Sequence, residues 1–254
     1  MIAKTQEEIE QLRISGKILS DVLKETAKLV KVGVTTAELD LFAEKMIRER
    51  GGVPAFLNYK PSGGSYPFPA ALCTSVNEEV VHGIPSETKI LKEGDIITLD
   101  LGVAYNGFFT DSAITVCVGN ADASTQRFFD ATREALAAGV KAASANGYTG
   151  DIGAAVEAIA KKYGYQVVEE LGGHAVGKDV HEKPYIGNTG VAGEGEKMPE
   201  GLVIAIEPIF AEGAPKIVLE DDEWTYSTKD GSRACHFEQT IILTKDGVEI
   251  LTPF

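Results

Sequence analysis

Four carboxylates lie within or beside apolar stretches that are otherwise typical of buried strands. Asp100 lies in IITLDLG, Glu207 in LVIAIEPIF and Glu238 in ACHFEQTIIL, and Asp111 follows Asp100 by eleven residues in GFFTDSAITV. Charged side chains are rarely fully buried unless they are paired or bind a metal ion. Any one of these acids alone would be explained by a solvent-facing position or a local ion pair. All four together indicate a site that needs cations.

Two of the four histidines lie in one glycine-rich segment, GGHAVGKDVHEKP, which spans residues 172 to 184. A helical zinc motif places its histidines at i and i+4, whereas His174 and His181 are seven residues apart, so the segment predicts a loop or a strand end. The imidazole of His174 and the four carboxylates form a ligand set that two divalent cations would neutralise. Oxygen-rich sites favour Mn²⁺, Fe²⁺ or Co²⁺, and Zn²⁺ is also compatible with this set.

The elements that must position these residues begin with two helices. Apolar residues recur at helical spacing over residues 5 to 30, and Thr5 with Glu8 forms a capping box at the start. Thr35 with Glu38 begins a second helical pattern, which a pair of glycines ends.

Strand signals follow the helices. Residues 95 to 119 are rich in β-branched and aromatic residues, and the Asn106-Gly107 pair between them predicts a hairpin. Such a hairpin would place Asp111 on the strand next to that of Asp100.

The order of elements recurs after residue 120. Helical patterns span about 125 to 145 and 151 to 163, and YQVVEEL and the residues beyond it predict strands. The segments EGDIITLD and EGLVIAIE, which end at Asp100 and Glu207, share one pattern of glycine, β-branched residues and a final acid. We therefore predict a single α+β domain, residues 1 to 254, with two pseudo-symmetric halves whose strands bring acids to a shared centre.

Composition excludes several classes of function. With 254 residues, of which 44% are hydrophobic, the chain can bury a substantial core. A net charge of −14 disfavours direct binding to nucleic acid or to an anionic membrane. The N-terminal segment has no apolar signal sequence, and the three cysteines are widely spaced, so we expect a cytoplasmic protein with reduced, buried thiols.

Five ordered motifs carry a resemblance to a known family: CTSVNEEVVHGIP (73 to 85), GDIITLDLGVAYNGFFTDSAITV (94 to 116), GGHAVGKDVHEKP (172 to 184), IEPIF (206 to 210) and HFEQT (236 to 240). Through them nearly the whole chain resembles the type I methionine aminopeptidases, dinuclear metallopeptidases of the pita-bread fold. The resemblance implies an antiparallel sheet inside with helices outside. It also implies a monomer that removes the N-terminal methionine from nascent or newly made polypeptides, with preference for a small second residue.

The resemblance implies a role for each acid. Asp100 would chelate one metal, Asp111 and Glu238 would bridge, and His174 and Glu207 would complete the other metal, with Co, Mn, Fe or Zn as the two divalent ions. Such a pair of ions makes a bridging hydroxide available at neutral pH and polarises the scissile carbonyl. Glu207 would act as general base and then general acid.

The resemblance also implies residues that contact the substrate. His181 would donate a hydrogen bond to the carbonyl oxygen, and His82 would contact the substrate nitrogen. Phe68, Cys73 and Trp224 would line the methionine pocket, where an aromatic ring and a sulfur suit a thioether. Packing in the core is the alternative for Trp224, the only tryptophan of the chain.

The sequence departs from the family at four positions. Ala175 replaces a glycine, and Val180 stands where an aromatic residue is common, so the pocket shape is expected to differ. His236 and Gln239 are exchanged around Glu238 relative to the usual Gln-x-Glu-His-Thr. The contacts of Glu238 must therefore differ, and His236 either orients a ligand or packs.

Other readings of the same residues are an X-prolyl aminopeptidase, an inactive binding protein of the same fold, and a structural or storage metal site. The X-prolyl relatives carry an extra N-terminal domain and a further histidine ahead of the metal-binding one, and type II methionine aminopeptidases carry a helical insertion. None of these features is expected here. An inactive protein or a storage site would not explain why all five ligand positions occur together with His82 and His181.

Overall fold

The computed structural model describes residues 1–61 and 63–254, and in these residues four helices surround a set of short antiparallel sheets. The helices are α1 (Gln6–Ala27), α2 (Thr36–Glu49), α3 (Ala123–Ala142) and α4 (Thr149–Tyr163). The strands are β1 (Val53–Pro54), β2 (Leu72–Val76), β3 (Glu79–Val81), β4 (Ile96–Tyr105), β5 (Phe108–Cys117), β6 (Gln166–Val167), β7 (Gly172–Ala175), β8 (Glu182–Gly187), β9 (Val203–Ile206), β10 (Ile209–Ala211), β11 (Ile217–Leu219), β12 (Tyr226–Thr228), β13 (Ala234–His236), β14 (Gln239–Thr244) and β15 (Gly247–Ile250). Within the described residues, no helix is both long enough and apolar enough to cross a membrane.

Both predicted capping boxes are present. Thr5 accepts a hydrogen bond from the amide of Glu8 at the start of α1, and Thr35 does the same for Glu38 at the start of α2. These bonds satisfy amide groups that the first helical turn leaves unpaired. The helix predicted over 5 to 30 ends earlier, at Ala27, because the next residues form tight turns to the carbonyls of the last helical turn.

The predicted hairpin is formed by β4 and β5. Asn106 and Gly107 have φ angles of 49° and 78°, which is the left-handed geometry that a two-residue hairpin turn requires. Asp111 pairs with Gly102, two positions along β4 from Asp100. Since side chains alternate between faces along a strand, the two acids lie diagonally on the same face of the hairpin.

Two larger sheets meet at this hairpin. The first has the order β1-β4-β2, with β5 also paired to β4, and the second has the order β15-β14-β9-β7-β8. The hydroxyl of Thr240 accepts a hydrogen bond from the amide of Asp111 at 2.9 Å and donates to its carbonyl at 2.7 Å. The amide of Glu238 donates to the carbonyl of Ala113 at 2.9 Å. These hydrogen bonds form the seam between the two sheets, which therefore lies beside Asp111 and Glu238.

The sequence repeat corresponds to a repeated structure. Gly94 and Gly201 both adopt left-handed φ angles, 87° and 80°, shortly before β4 and β9. The strand that follows each glycine leads to an acid: Asp100 lies inside β4, and Glu207 directly follows β9. The helices of each half pack on their sheets through one shared apolar core, to which Leu19, Phe128 and Ile206 contribute. The α+β class predicted from the sequence is confirmed.

Two local predictions were wrong in part. Of the segment YQVVEEL, only Gln166–Val167 forms a strand, because only those residues pair with β10, and Glu169 and Glu170 are exposed. All three cysteines are free, but Cys117 is only half-buried, because it is the last residue of β5.

Candidate metal centre and substrate pocket

The five predicted ligands come from both sheets. Asp100 and Asp111 lie on the β4–β5 hairpin, His174 lies on β7, Glu207 follows β9, and Glu238 lies between β13 and β14. His174 pairs with Ala205, two residues before Glu207, so both side chains lie on one face of the second sheet. All five residues are at most 9% exposed. Strand pairing and the seam thus gather residues that are far apart in the sequence.

The donor atoms of these residues converge. Three groups have donor atoms that lie within 4.8 Å of one another: Asp100, Asp111 and Glu238; His174, Glu207 and Glu238; and Asp111, His174 and His181. Glu238 is common to the first two groups. The Nε2 atom of His174 lies 3.7 Å from Oε1 of Glu207 and 3.9 Å from Oδ2 of Asp111. The arrangement offers converging donor atoms of the kind that hold metal ions.

The electrostatics of the cluster fit cations. Oδ1 of Asp100 and Oδ1 of Asp111 are buried without a hydrogen-bond partner, and among the described residues that line the cavity there is no lysine or arginine. Burial and the charge of Glu238 raise the pKa of Asp100 to about 7, and burial raises the pKa of Glu238 itself to about 8. The same causes raise the pKa values of Asp111 and Glu207 well above the usual range. Divalent cations would remove this penalty and keep all four acids ionised.

His174 is held in the form that binds metals. Burial, with the neighbouring His181, lowers the pKa of His174 to about 3, so the imidazole is neutral. Its Nδ1 lies 3.1 Å from the carbonyl oxygen of Ala175. A hydrogen on Nδ1 satisfies that carbonyl and leaves the lone pair of Nε2 directed at the acids.

One cavity of about 250 Å³ contains all the predicted site residues. The acids and His174 form its floor, and His82, His181, Phe68, Cys73 and Trp224 all line it. The rings of Phe68 and Trp224 meet edge to face at 5.2 Å, and the ring of His82 lies 6.1 Å from that of Trp224. Cys73 is paired with Asp100 across β2 and β4. The apolar wall and the acids are thus immediate neighbours.

Val180 packs against residues of the apolar wall, because it is 2% exposed and lies in one cluster with Phe56, Phe68 and Cys73. The position where the family often has an aromatic residue is therefore filled here by a smaller branched side chain. Ala175 is fully buried in β7, where it pairs with Ile204.

Sequence reasoning missed four lining residues, namely Phe56, Tyr59, Pro61 and Val81. The hydroxyl of Tyr59 lies 2.9 Å from Nδ1 of His181. The backbone carbonyl of Tyr59 accepts a hydrogen bond from the amide of Phe68 at 2.8 Å, so these two residues lie side by side. The aromatic residues of FLNYKP were the only available signal, and they have no helical or strand periodicity.

The loop that ends at His181 is fixed by the next residue. The carboxylate of Glu182 accepts hydrogen bonds from the amides of Lys178 and Asp179 at 2.6 and 3.0 Å, and it lies 3.0 Å from the amino group of Met1. Gly177 has a φ of 132°, and a Cβ there would collide with the Met1 side chain. The ring of His181 lies 4.4 Å from that of His174, so the loop turns both histidines toward the cavity.

The exchanged residues around Glu238 lie in different places. His236 is 1% exposed, and its Nε2 lies 3.6 Å from Oε2 of Glu238 and 3.7 Å from Oε2 of Glu207. Gln239 lines a separate cavity with Phe237 and Phe254, and its Nε2 lies 3.4 Å from the carbonyl of Thr252. The exchange therefore places an imidazole beside the acids.

Comparison with known proteins shows the family to which the chain belongs. The model of metallopeptidase family M24 matches residues 10–245. A methionine aminopeptidase of Aquifex aeolicus is 44% identical over 251 residues, which cover 98% of this chain and 97% of the relative. The crystal structure of a methionine aminopeptidase from Thermotoga maritima has a TM-score of 0.93 and 37% identity, with both chains covered completely.

The likeness extends more distantly to a prolidase from Pyrococcus furiosus, with a TM-score of 0.76 and 23% identity over 66% of that chain. At that identity the likeness shows a shared fold alone. The closer matches show the pita-bread fold that the sequence motifs predict. From the family match and the relatives at high identity we conclude that the chain belongs to metallopeptidase family M24.

Proposed function

We propose that this chain removes the N-terminal methionine from polypeptides and prefers substrates with a small second residue. The observation that carries the proposal is the single cavity of about 250 Å³ in which a cluster of metal-binding type adjoins an apolar wall. The relatives at 35 to 44% identity that are named methionine aminopeptidases support it.

The proposed cofactor is a pair of divalent ions, with Co, Mn, Fe and Zn as candidates. Asp100, Asp111 and Glu238 would hold one ion, and His174, Glu207 and Glu238 would hold the other, so that Glu238 belongs to both groups. Asp111 is proposed to bridge as well, because its Oδ2 lies 3.9 Å from Nε2 of His174. When bound, such a pair lowers the pKa of a water molecule and polarises a carbonyl group. The buried, unpaired oxygens of the two aspartates support this assignment.

Glu207 is the proposed proton carrier. One of its oxygens, Oε1, lies 3.7 Å from Nε2 of His174 at the floor of the cavity. A carboxylate oxygen at that position takes a proton from the attacking water and returns it to the leaving amine. Asn188 supports this geometry, because its side-chain amide donates to the Glu207 carbonyl at 2.9 Å and holds the backbone of that residue.

His181 is the proposed donor to the carbonyl oxygen of the scissile bond. Tyr59 occupies the Nδ1 side of its ring, so Nε2 is left for the substrate. A donor aimed at a developing negative charge stabilises the transition state more than the ground state.

His82 is the proposed contact for the substrate nitrogen. Its ring packs edge-on against those of Trp224 and Tyr226, and burial lowers its pKa to about 4. The neutral imidazole offers one donor and one acceptor.

The apolar wall is the proposed methionine pocket. Phe68 and Trp224 supply aromatic surfaces, and Cys73 supplies a sulfur near Asp100. A thioether side chain is unbranched and makes favourable contacts with aromatic rings. A pocket of this size beside enclosed metal ligands leaves little room for the second side chain of the substrate.

The proposed partners are the N-termini of nascent or newly made polypeptides in the cytoplasm, and the chain would act as a monomer. The net charge of −14 supports the further expectation that it does not bind nucleic acid directly.

The decisive experiment uses three peptides, Met-Ala-Ser, Leu-Ala-Ser and Ala-Pro-Ser. Metal-stripped protein is assayed for release of the first residue, before and after addition of Mn²⁺, Fe²⁺, Co²⁺ or Zn²⁺ under anaerobic conditions. Metal-restored release of methionine alone is expected. Release from Ala-Pro-Ser instead would assign the chain to X-prolyl peptidases, and no release with any metal would favour an inactive binding protein.

A further inference from the structure

His236 is the only one of the four histidines that has no part in the reaction proposed above. Its side chain is almost completely buried, and neither Nδ1 nor Nε2 has a hydrogen-bond partner among the residues that the structure describes. Buried polar groups in native proteins are nearly always hydrogen-bonded. An unpaired imidazole in the core therefore indicates a partner that this residue meets in the working protein.

Oxygens of two proposed metal ligands lie near the imidazole of His236. Its Nε2 lies 3.7 Å from Oε2 of Glu207 and 3.6 Å from Oε2 of Glu238. A charge-assisted hydrogen bond is shorter by roughly 0.5 to 1 Å, so a small shift of either carboxylate would complete one. The two oxygens of Glu207 therefore lie near different histidines. Oε2 lies near His236, and Oε1 lies 3.7 Å from Nε2 of His174.

The backbone of His236 is fixed from the first sheet. Its amide donates to Oγ1 of Thr115 at 3.1 Å, and the same hydroxyl donates to its carbonyl at 2.6 Å. Thr98 approaches that hydroxyl at 2.8 Å, and His236 also pairs with Ile209. The backbone of His236 is thus held in place beside the carboxylates.

The position of His236 differs from that of a ligand. In the part of the chain that the structure describes, His236 belongs to none of the three groups of converging donor atoms. It lies instead near Oε2 of Glu238, which both proposed ion sites share, and near Oε2 of Glu207, which belongs to one.

We propose that His236 is a positioning residue that donates its Nε2 hydrogen to the carboxylates of Glu207 and Glu238. This hydrogen bond would hold the two carboxylates in the orientation in which they meet the ions. Partners of this kind raise metal affinity because they orient a ligand before the metal arrives. The inference rests on the metal-dependent function proposed above. It predicts that His236 raises the metal affinity of the site that Glu207 and Glu238 form with His174.

The test measures metal binding rather than turnover. Metal-free full-length protein is titrated with Co²⁺ alone under anaerobic conditions, and heat and visible absorption are recorded. In H236A we expect Co²⁺ affinity in at least one binding step to fall about 10- to 100-fold, with an altered Co²⁺ absorption band. H236Q should recover most of the affinity, because its amide can donate to the same oxygens. Q239A is the matched control and should behave like the wild type, since Gln239 lines the other cavity.

Each other outcome has a distinct meaning. Wild-type protein that binds no Co²⁺ would overturn the proposed metal site and the inference with it. Wild-type binding together with unchanged affinity and absorption in H236A would overturn the inference alone. If H236Q lost as much Co²⁺ affinity as H236A, His236 would not act as a hydrogen-bond donor. If H236A does not fold, H236N takes its place, because its shorter amide does not reach both carboxylates, and wild-type affinity in H236N would count against the proposal.

Discussion

The hydroxyl of Tyr59 lies 2.9 Å from Nδ1 of His181, although 122 residues separate the two in the sequence. This contact orients the imidazole, so that Nε2 is the nitrogen left to meet a substrate carbonyl. We predict that Tyr59→Phe lowers kcat about 5- to 10-fold, which corresponds to the loss of one hydrogen bond of ~1 kcal/mol. Metal content should be unchanged. Tyr163→Phe, which removes a hydroxyl bonded to Glu134 between α3 and α4, is the control. An equal effect in both variants would refute the orienting role.

Replacing the proposed proton carrier should abolish turnover. Glu207→Ala removes both the carboxylate that moves the proton and a metal ligand, so no release of methionine is expected from Met-Ala-Ser. Glu134→Ala changes an exposed acid on α3 and should leave the rate unaltered. A near-normal rate in Glu207→Ala would remove this residue from the mechanism.

His181→Ala should separate chemistry from metal binding. Loss of a donor aimed at the developing charge is expected to lower kcat about 10²- to 10³-fold. Metal content, measured by atomic absorption, should change far less than the rate, because the four acids and His174 remain. Loss of metal in proportion to loss of rate would instead make His181 a ligand, as its place in one donor group with Asp111 and His174 allows.

Trp224→Ala should relax selection for methionine. Trp224 forms one wall of the cavity with Phe68, and its removal widens the space for the first side chain. We expect kcat/KM for Met-Ala-Ser to fall about 10- to 100-fold while Leu-Ala-Ser loses less, so that the ratio between them narrows. Tyr66→Ala removes a ring that packs on the far side of Trp224 and lines a neighbouring groove. If Tyr66→Ala narrowed the ratio as much, the effect would not belong to the pocket wall.

The metal-free protein should lose stability as pH rises. Burial raises the pKa values of Asp100 and Glu238 in the folded chain to about 7 and about 8, from ordinary values of 3.8 and 4.5. Between roughly pH 4 and 8 the folded state therefore binds more protons than the unfolded state, and the free energy of unfolding falls as pH rises. Urea denaturation of metal-stripped protein at pH 5.5 and 8 should show a lower free energy of unfolding at pH 8. In Glu238→Gln the difference between the two pH values should be smaller. If the free energy of unfolding fell more steeply with pH in Glu238→Gln than in the wild type, the raised pKa assigned to Glu238 would be wrong.

The sequence predicts those parts of the fold that depend on local signals. The capping boxes at Thr5 and Thr35 and the Asn106-Gly107 turn are read from a few neighbouring residues, and all three are present. Asp100 and Glu207 could be singled out because a charge within an apolar run conflicts with ordinary burial. Asp100 and Glu207 lie in one cavity because strands that are distant in the sequence pair with each other. The sequence repeat and the ordered motifs indicate this arrangement.

The contacts that were missed depend on long-range packing. Tyr59 lies in a loop without periodicity, and its partner His181 belongs to the other half of the chain. The sequence alone does not decide whether His236 orients a metal ligand or packs in the core, because the direction of a side chain in a short strand depends on the register of that strand. That register is set here by Ile209 and Thr115, and neither contact can be read from the neighbours of His236 in the sequence.

The seam made by Thr240 and Asp111 has a consequence for fragments of this protein. Residues before 120 carry Asp100 and Asp111, and residues after it carry Glu238, so neither fragment alone holds all the acids of the proposed ion site that these three residues form. Two separately made fragments would have to recover the hydrogen bonds of Thr240 and Glu238 before the donor atoms converge. Divalent ions should therefore drive the reassociation of the halves, since a ligand that binds only the assembled state favours assembly by mass action.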